Sequence, residues 1–473
     1  MDTAKTNTYV DARFEEDFVK PLMKFVEIPN LSPFFDQEFH TNGLIQEAAE
    51  FVIEYAEKLN IEGLTHKFYQ EEGKAPMLFF NLKGTSPVNV MLYGHLDKQP
   101  HMEGWKEGTG PTTPVIIDDH LFGRGSSDDG YVPFMVLLAL KNAIEQGQAL
   151  PNICIVLECE EESGSTDLVY LLEKNADLIG KPDVCICMDS GALNYNAIWL
   201  TSTLRGLCSF RLDVEVATQG THSGLGGGII PDSYRILNQL LTRLEDPVTG
   251  VVCDELQTEI PEHYLEEAKF VGDLKKEELY SSYNMLEGVK PINDGDFQQM
   301  YLNTNWRPSL TVIGMDGMPE CAKAGNVLRK GTTAAISIRL PPGVDGDEAA
   351  KIVTEKLTKD IPYGAKVTLS DFQTGNGFAA KPLTPWLKDA LDSASETFYG
   401  EGAKCRSYGI GGSIPFLYTL GAKFPETQIL AVGVLGSDTN AHNPNENINL
   451  PYSKQLLKAL SHVIATCGQR ESA

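Results

Sequence analysis

Four apolar, strand-like segments of this chain each lead into a stretch that carries imidazole or carboxylate side chains. The segments lie at residues 88–93, 153–157, 184–188 and 429–434. The polar residues that follow them include His95 and Asp97, Glu160, Glu161 and Glu162, Asp189, and Asp438 and His442. In open α/β sheets, ligands bind in the crevice outside the carboxyl ends of the strands. Imidazoles and carboxylates gathered there have the composition of a metal site.

Each of these residues alone is a weak signal. A histidine after a strand is more often a hydrogen-bonded or surface residue, and a run of glutamates is usually a solvated face. Here, however, the three glutamates directly follow an apolar strand, where neighbouring carboxylates repel unless they are protonated or neutralised by cations. A glycine-rich loop at 123–130 adds Asp128 and Asp129 and opens a helix. The joint pattern therefore favours a metal site.

Seven motifs extend this pattern along nearly the whole chain. They are Gly-His-Leu-Asp-Lys-Gln-Pro at 94–100, Leu-Phe-Gly-Arg-Gly-Ser-Ser-Asp-Asp at 121–129, Glu-Glu-Ser-Gly-Ser at 161–165, Thr-His-Ser-Gly at 221–224, Ser-Ile-Arg-Leu at 337–340, Gly-Gly-Ser-Ile-Pro at 411–415 and Ala-His at 441–442. In type and order they resemble the motifs of the M20 family of metallopeptidases, and within it the carnosinase-like (cytosolic non-specific) dipeptidases.

The resemblance implies a site for two divalent metal ions, Zn²⁺ or Mn²⁺, with Co²⁺ as a further option. His95 and Asp189 would hold one ion, Glu162 and His442 the other, and Asp128 would bridge both. Each ion then has one imidazole, one terminal carboxylate and a shared carboxylate, which leaves room for water and substrate. Two ions about 3.5–4 Å apart lower the pKa of a bound water and polarise a carbonyl group.

The resemblance also assigns a general base and a residue behind the first ligand. Spacing alone does not separate Glu160, Glu161 and Glu162, but the Ser-Gly pair at 163–164 sets the register of the family motif and points to Glu161 as the base. Asp97, two residues after His95, fits a carboxylate that orients the imidazole. A turn-capping aspartate is the alternative reading of Asp97.

Further site residues lie between the strand-end motifs. In the family, the histidine that His222 matches reaches the active site of the partner subunit and steadies the tetrahedral oxyanion; otherwise it would be a surface-turn residue. The planar guanidinium of Arg339 suits the free carboxylate of a dipeptide, with a plain surface ion pair as the alternative. Gly411, Gly412 and Ser413 precede a predicted helix whose amides can bind the same carboxylate.

The chain departs from the family pattern at two places. Relatives usually carry Arg-Glu where this chain has Gly409 and Ile410, which removes two charges beside the expected carboxylate pocket. Lys98 stands where many dipeptidase relatives have Val, and we expect it to affect the entrance of the pocket. Both departures bear on substrate range and leave the metal ligands complete.

The predicted elements describe an α/β fold in two domains. Short apolar strands alternating with helices predict a catalytic domain with a mixed, largely parallel sheet flanked by helices, at 1–205 and 385–473. Between them, with 247–309 set aside, the order strand-helix-strand-strand-helix-strand predicts a ferredoxin-like α+β domain at 206–384. The family uses this inserted domain as a lid and for dimerisation, so a homodimer is expected. A length of 473 residues also favours two domains.

Composition restricts the partners. The net charge of −26 argues against nucleic acid and anionic membrane surfaces. The first residues lack the apolar segment of a secretory signal, and no apolar run reaches membrane-spanning length. Nine cysteines scattered through strand-like segments are expected to be reduced, which predicts a cytoplasmic protein.

The sequence thus predicts a two-metal hydrolase that cleaves dipeptides or short peptides, with Glu161 as general base. An N-acyl amino acid deacylase with the same metal site is the alternative within the enzyme class. A catalytically inactive binding or assembly protein on the same fold is the alternative of another class. Such a protein usually lacks a ligand or the base, whereas all six positions are filled here.

Overall fold

The computed structural model describes residues 1–281, 283–412 and 414–471. The chain divides into two compact units. The first unit consists of Met1–Thr201, Ala380–Ser407 and Thr419–Ala473, and the second of Ser202–Ala379 and Tyr408–Tyr418. The second unit thus includes Tyr408–Tyr418, which the sequence-based limits place in the catalytic domain.

The secondary structure alternates along the chain as follows. The strands are β1 (Thr65–Tyr69), β2 (Met77–Leu82), β3 (Asn89–His95), β4 (Val115–Ile117), β5 (His120–Phe122), β6 (Asn152–Glu158), β7 (Val184–Cys187), β8 (Trp199–Leu204), β9 (Gly206–Glu215), β10 (Thr221–His222), β11 (Ser309–Asp316), β12 (Val327–Leu328), β13 (Gly331–Leu340), β14 (Lys366–Gly375), β15 (Phe378–Ala379), β16 (Arg406–Ile410), β17 (Gln428–Ala431) and β18 (Asn447–Asn449). The helices are α1 (Thr3–Phe14), α2 (Lys20–Glu27), α3 (Leu44–Leu59), α4 (Val132–Glu145), α5 (Leu168–Lys174), α6 (Ala176–Ile179), α7 (Ser223–Gly226), α8 (Ser233–Leu241), α9 (Glu262–Lys275), α10 (Glu278–Ser281), α11 (Phe297–Asn305), α12 (Gly346–Thr358), α13 (Pro385–Tyr399), α14 (Pro415–Lys423) and α15 (Leu450–Gly468). None of the helices in the described part of the chain is both long and apolar enough to cross a membrane.

The first unit is built on a six-stranded mixed sheet with the order β1-β2-β6-β3-β7-β17. The pairs β6–β3, β3–β7 and β7–β17 are parallel, whereas β1–β2 and β2–β6 are antiparallel. The central strands are almost wholly buried, as expected for parallel strands covered on both faces. Helix α4 is apolar nearly all round and packs against α3, α15 and β3. The predicted sheet type is confirmed.

The second unit contains a four-stranded antiparallel sheet with the order β11-β13-β9-β14. Helices α8 and α12 pack on this sheet, so residues alternate between buried and half-exposed along β13. Every second residue of β13 lies in an apolar core, which includes Ile336, Ile338 and Leu340. Strands β9, β11, β13 and β14 with these two helices form the predicted ferredoxin-like pattern. The segment that was set aside, 247–309, contributes α9, α10 and α11.

Asparagine and aspartate side chains begin several of these helices. Asp232 accepts a hydrogen bond from the backbone N–H of Arg235 at the start of α8, and Asp345 accepts from two backbone amides at the start of α12. Such caps satisfy amides that have no partner within the helix. The helix starts that flank the second sheet are therefore specified locally.

Candidate metal centre

Three strand ends of the first unit meet at one edge of its sheet. His95 is the last residue of β3 and lies opposite Glu158, the last residue of β6. Glu161 and Glu162 follow β6 in a short 3₁₀ turn, and Asp189 follows β7. One ligand atom from each of His95, Glu161 and Asp189 lies within 4.8 Å of the others, and the same holds for His95, Asp128 and Glu162. The parallel pairing thus gathers the residues that the sequence placed at the strand ends.

Asp128 lies between the two histidines. Its Oδ1 is 3.2 Å from His95 Nε2, and its Oδ2 is 2.9 Å from His442 Nε2. Burial alone would raise the pKa of Asp128, but hydrogen bonds with His442 and His95 outweigh burial and lower the pKa below its ordinary value. One carboxylate with an oxygen directed to each imidazole has the arrangement of a bridging ligand.

Glu162 contacts the second histidine. Its Oε2 lies 3.2 Å from His442 Nε2 and accepts a 2.8 Å hydrogen bond from Gln99 Nε2. Hydrogen bonds with Asp128 and then Glu162 raise the pKa of His442 to about 11. The other oxygen of Glu162, Oε1, is buried and finds no hydrogen-bond partner among the described residues. A buried oxygen without a donor is suited to accept a cation.

Glu161 and Asp189 complete a cluster that is rich in negative charge. Burial raises the pKa of Asp189 to about 7, with Asp128 adding to the shift and His95 opposing it. Burial also raises the pKa of Glu161 well above its ordinary value, and the carboxylate of Asp189 adds to that shift. Buried carboxylates so close together need protons or cations. The residues present therefore fit divalent metal ions.

Asp97 links the first histidine to the turn that carries the glutamates. His95 Nδ1 lies 3.0 Å from the carbonyl oxygen of Asp97 and 3.5 Å from its Oδ1, so Nε2 is the nitrogen on the side of Asp128. The carboxylate of Asp97 also accepts the backbone N–H groups of Glu161 and Glu162, at 3.2 and 3.0 Å. Asp97 thus contacts the imidazole and also caps the turn, which were the two readings of the sequence.

The loop that carries Asp128 packs tightly under β3. The peptide bond between Asp128 and Asp129 is cis. Asp129 Oδ2 accepts the backbone N–H of His95 at 3.2 Å. A Cβ atom on Gly94 would lie 2.6 Å from Asp129 Oδ2 and 2.7 Å from Val132 Cγ1. Only glycine at 94 therefore allows the strand to approach the loop this closely.

The expected effect of Lys98 on the pocket entrance is wrong. Lys98 is 1% exposed, and its Nζ donates to the carbonyl oxygens of Phe25 and Ile28 at the end of α2, at 2.8 and 2.7 Å. Nζ also lies 4.5 Å from the centre of the Phe25 ring. Burial lowers the pKa of Lys98 to about 7. Lys98 therefore binds the end of a helix inside the first unit.

Sequence reasoning missed Glu446 and gave no role to Arg124. Both side chains are fully buried, and they contact each other beside the loop that carries Asp128. The available signal was an acidic residue four positions after His442 and a single arginine within the glycine-rich loop. Neither feature matches a metal-ligand motif. In the structure, both residues bind other groups of the protein.

The predicted residues of the second unit have different surroundings. His222 is exposed at the end of β10, and its Nδ1 accepts the backbone N–H of Gly224 at 3.1 Å. Arg339 is half-buried on β13, opposite Leu207 of β9 and Ser309 of β11. No hydrogen bond or ion pair is found for the guanidinium of Arg339 within residues 1–281, 283–412 and 414–471. Arg339 is thus not engaged in the ion pair that was its alternative reading.

The glycine-rich segment before α14 is held by Arg205. The carbonyl oxygen of Gly412 accepts the backbone N–H of Arg205 at 3.0 Å, and that of Gly411 accepts from Arg205 Nε at 3.4 Å. Ser413, the third predicted residue of this segment, lies outside the described residues. The two glycines are thus anchored through their carbonyl groups.

The presence of Gly409, where relatives usually carry a charged residue, has a steric explanation. A Cβ atom on Gly409 would lie 2.2 Å from Thr203 Oγ1 and 2.6 Å from Asn305 Oδ1. Its backbone N–H donates to the hydroxyl oxygen of Tyr301. Asn305 and Tyr301 belong to α11, in the segment that the sequence left without a role. Thr203 of β8 and helix α11 therefore occupy the space that a larger residue at 409 would need.

Comparison with known proteins identifies the family. Residues 91–466 match the family described as peptidase family M20/M25/M40. The chain is 26% identical to the cysteinylglycine-S-conjugate dipeptidase of Corynebacterium striatum, over 90% of each chain, and 26% identical to the Cys-Gly metallodipeptidase dug1 of Schizosaccharomyces pombe, over 95% of each chain. The crystal structure of human carnosine dipeptidase 1 superposes with a TM-score of 0.74 at 23% identity and covers 99% of both chains. The predicted family and enzyme class are confirmed, and the chain is a metallopeptidase that belongs to peptidase family M20/M25/M40.

Proposed function

We propose that this protein is a two-metal peptidase that hydrolyses dipeptides or similarly short peptides. The observation that carries the proposal is the position of Asp128, with one oxygen 3.2 Å from His95 Nε2 and the other 2.9 Å from His442 Nε2. A single carboxylate with one oxygen directed to each of two imidazoles is suited to bridge two adjacent ions. The two relatives in the comparison that act on Cys-Gly substrates support a dipeptide as the substrate class.

Five residues would hold the ions. His95 and Asp189 would bind the first, Glu162 and His442 the second, and Asp128 would bridge them. When bound, two divalent ions supply a polarised carbonyl group and a water of lowered pKa. The donor set contains nitrogen and oxygen and no thiolate, which suits Zn²⁺, Mn²⁺ or Co²⁺.

Glu161 would act as the general base. Its carboxylate would take a proton from the attacking water and return it to the leaving amine. Burial and the carboxylate of Asp189 raise the pKa of Glu161, and a carboxylate of higher pKa is a stronger proton acceptor. Its closeness to His95 and Asp189 also makes it an alternative ligand, so its role needs a measurement of metal content.

Residues of the second unit would bind the rest of the substrate. Arg339 offers a guanidinium without an acidic partner in the described ranges, and Gly411, Gly412 and Ser413 would add amides for the same carboxylate. His222 would steady the oxyanion in the active site of a partner subunit. His222 is exposed, as such a contact requires, and its Nδ1 already accepts the backbone N–H of Gly224.

A homodimer through the inserted domain is part of the proposal. Strand β11 is an edge of the second sheet and carries exposed apolar side chains, with Ile313 64% and Met315 41% exposed. A long apolar edge strand is a surface that another strand can cover. All nine cysteines are free, which agrees with a reducing, cytoplasmic location.

Substrate and metal assays test the proposal. Protein purified without chelator should hold two ions per chain, and it should cleave dipeptides after addition of Mn²⁺ or Zn²⁺. Hydrolysis of N-acyl amino acids without hydrolysis of dipeptides would replace this proposal by a deacylase. A metal content far below two per chain, with no activity after addition of metal, would indicate the inactive binding protein.

A further inference from the structure

Glu446 contacts the whole loop that leads to the bridging carboxylate. Its side chain is fully buried, directly before β18. Glu446 Oε1 accepts the backbone N–H groups of Gly125, Ser127 and Asp128 at 3.0, 3.2 and 3.2 Å, and the Ser127 hydroxyl at 3.3 Å. Its backbone carbonyl accepts the N–H of Gly123 at 2.9 Å. One residue thus fixes the backbone from 123 to 128.

Arg124 neutralises the charge of Glu446. Its Nη1 donates to Glu446 Oε2 at 2.5 Å, and its Nη2 and Nε donate to the carbonyl oxygen of Pro100 at 3.0 and 3.2 Å. Arg124 is fully buried as well.

Glu446 is itself held rigidly. The next residue, Asn447, pairs with Phe122 in the β18–β5 ladder, and Asn447 Nδ2 donates to the carbonyl oxygen of Asp438 at 2.8 Å. The segment from His442 to Glu446 therefore contains one predicted metal ligand at its start. At its end, it contains the anchor for another ligand, Asp128.

We propose that Glu446 is a positioning residue for the metal centre. By binding the backbone N–H of Asp128 and of the residues before it, Glu446 sets where the bridging carboxylate stands relative to His95 and His442. The inference rests on the proposed two-metal function. Because Asp128 would bind both ions, a change at Glu446 should lower the affinity for both of them. A change at a residue that contacts a terminal ligand should lower the affinity for one ion only.

The test is Glu446→Gln, with Mn²⁺ alone as the probe in calorimetric titrations of the metal-free full chain. Glutamine has one oxygen, which can accept either from Arg124 or from the loop amides. Its NH₂ group then faces the other set of donors and cannot accept from them. Residues that position metal ligands typically change metal affinity by 10- to 100-fold. We expect both ions to bind Glu446→Gln about 10- to 100-fold more weakly than wild type.

Two single variants provide matched controls. Gln99→Ala removes the donor to Glu162 Oε2 and should weaken one ion only. Asp183 is another carboxylate that accepts a backbone N–H, and it accepts from Asn89 at 2.8 Å. Asn89 begins β3, whereas His95 ends it, so Asp183→Asn changes a similar hydrogen bond far from the metal centre. Asp183→Asn should lower the unfolding midpoint without changing the affinity for either ion. Metal affinity therefore separates a positioning role from general destabilisation.

A double variant covers the case in which glutamine opposite Arg124 prevents folding. Glu446→Leu with Arg124→Met leaves no unpaired buried charge and should restore stability. Its affinity for both ions should stay low, because leucine offers the loop amides no acceptor. Wild-type affinity in the double variant, or in Glu446→Gln itself, would overturn the positioning role. Wild-type protein that takes up no Mn²⁺ would overturn the proposed function and the inference with it.

Discussion

The candidate metal centre of the first unit and the predicted substrate residues of the second unit differ in how their polar groups are held. His95, Asp97 and Asp128 are fully or almost fully buried, and each is hydrogen-bonded to another polar group of the site. His222 is exposed, and Arg339 has no acidic partner in the part of the chain that the structure describes. The first set is preorganised by the fold, whereas the second set has side chains that no acidic group of the described residues engages.

The two sheets explain this difference. Parallel strands buried on both faces leave only their ends for polar residues, and the ends of neighbouring strands lie close together. An antiparallel sheet with one covered face places every second residue on its open face, and Arg339 occupies such a position on β13. Polar groups in the first unit must therefore satisfy one another, while those on the open face need not.

Glu161→Gln should cause the largest loss of activity and tests the first unit. Glutamine cannot accept the proton of the attacking water, so we expect kcat to fall by about 10²- to 10⁴-fold. Metal content, measured by elemental analysis, should stay at two ions per chain. Loss of an ion in this variant would instead make Glu161 a ligand, which its position within 4.8 Å of His95 and Asp189 allows.

His222→Ala tests the second unit. Loss of a donor to the oxyanion typically lowers kcat by about 10²- to 10³-fold. Because His222 is exposed, the unfolding midpoint and the metal content should not change. His263→Ala, at another exposed histidine of the same unit, is the control and should keep wild-type kcat. A fall in metal content in His222→Ala would contradict the division between the two regions.

Asp97→Asn should have a smaller effect and sharpens the same division. Asparagine retains one acceptor oxygen in place of two, so one of the amides of Glu161 and Glu162 loses its partner. We expect metal affinity to fall by about 10- to 100-fold, measured by titration with Mn²⁺. Arg339→Gln, on the open face of the second sheet, should leave that affinity unchanged. Equal affinity in Asp97→Asn and wild type would refute a role of Asp97 in positioning the ligands.

Lys98→Met should give the smallest effect, a change in how stability depends on pH. The pKa of Lys98 is about 7 in the folded protein and near its ordinary value of about 10.4 in the unfolded chain, so the unfolded state binds more protons between these values. The free energy of unfolding of wild type minus that of Lys98→Met should therefore be constant below pH 7. Above pH 7 this difference should rise in favour of wild type by about 1.4 kcal/mol per pH unit. Chemical unfolding of both proteins at pH 6, 7, 8 and 9 measures the difference, and a flat difference would contradict the prediction.

The sequence by itself determined the residue types at the strand ends, the α/β class and the family. These follow from short-range patterns: apolar strands of a few residues lead into imidazole or carboxylate groups, and short strands alternate with helices. Each of these features depends on residues that are close in the chain.

Only the tertiary structure decided which atoms meet. The contact of Glu446 with Ser127 and Asp128 joins residues more than 300 positions apart, and the fold buries Lys98 against α2 instead of placing it at a pocket entrance. Helix α11 closes the space around Gly409 in the same way. Contacts at such separations follow from how elements pack and have no periodic signature. The sequence therefore specified the chemistry of the site, and packing specified its geometry.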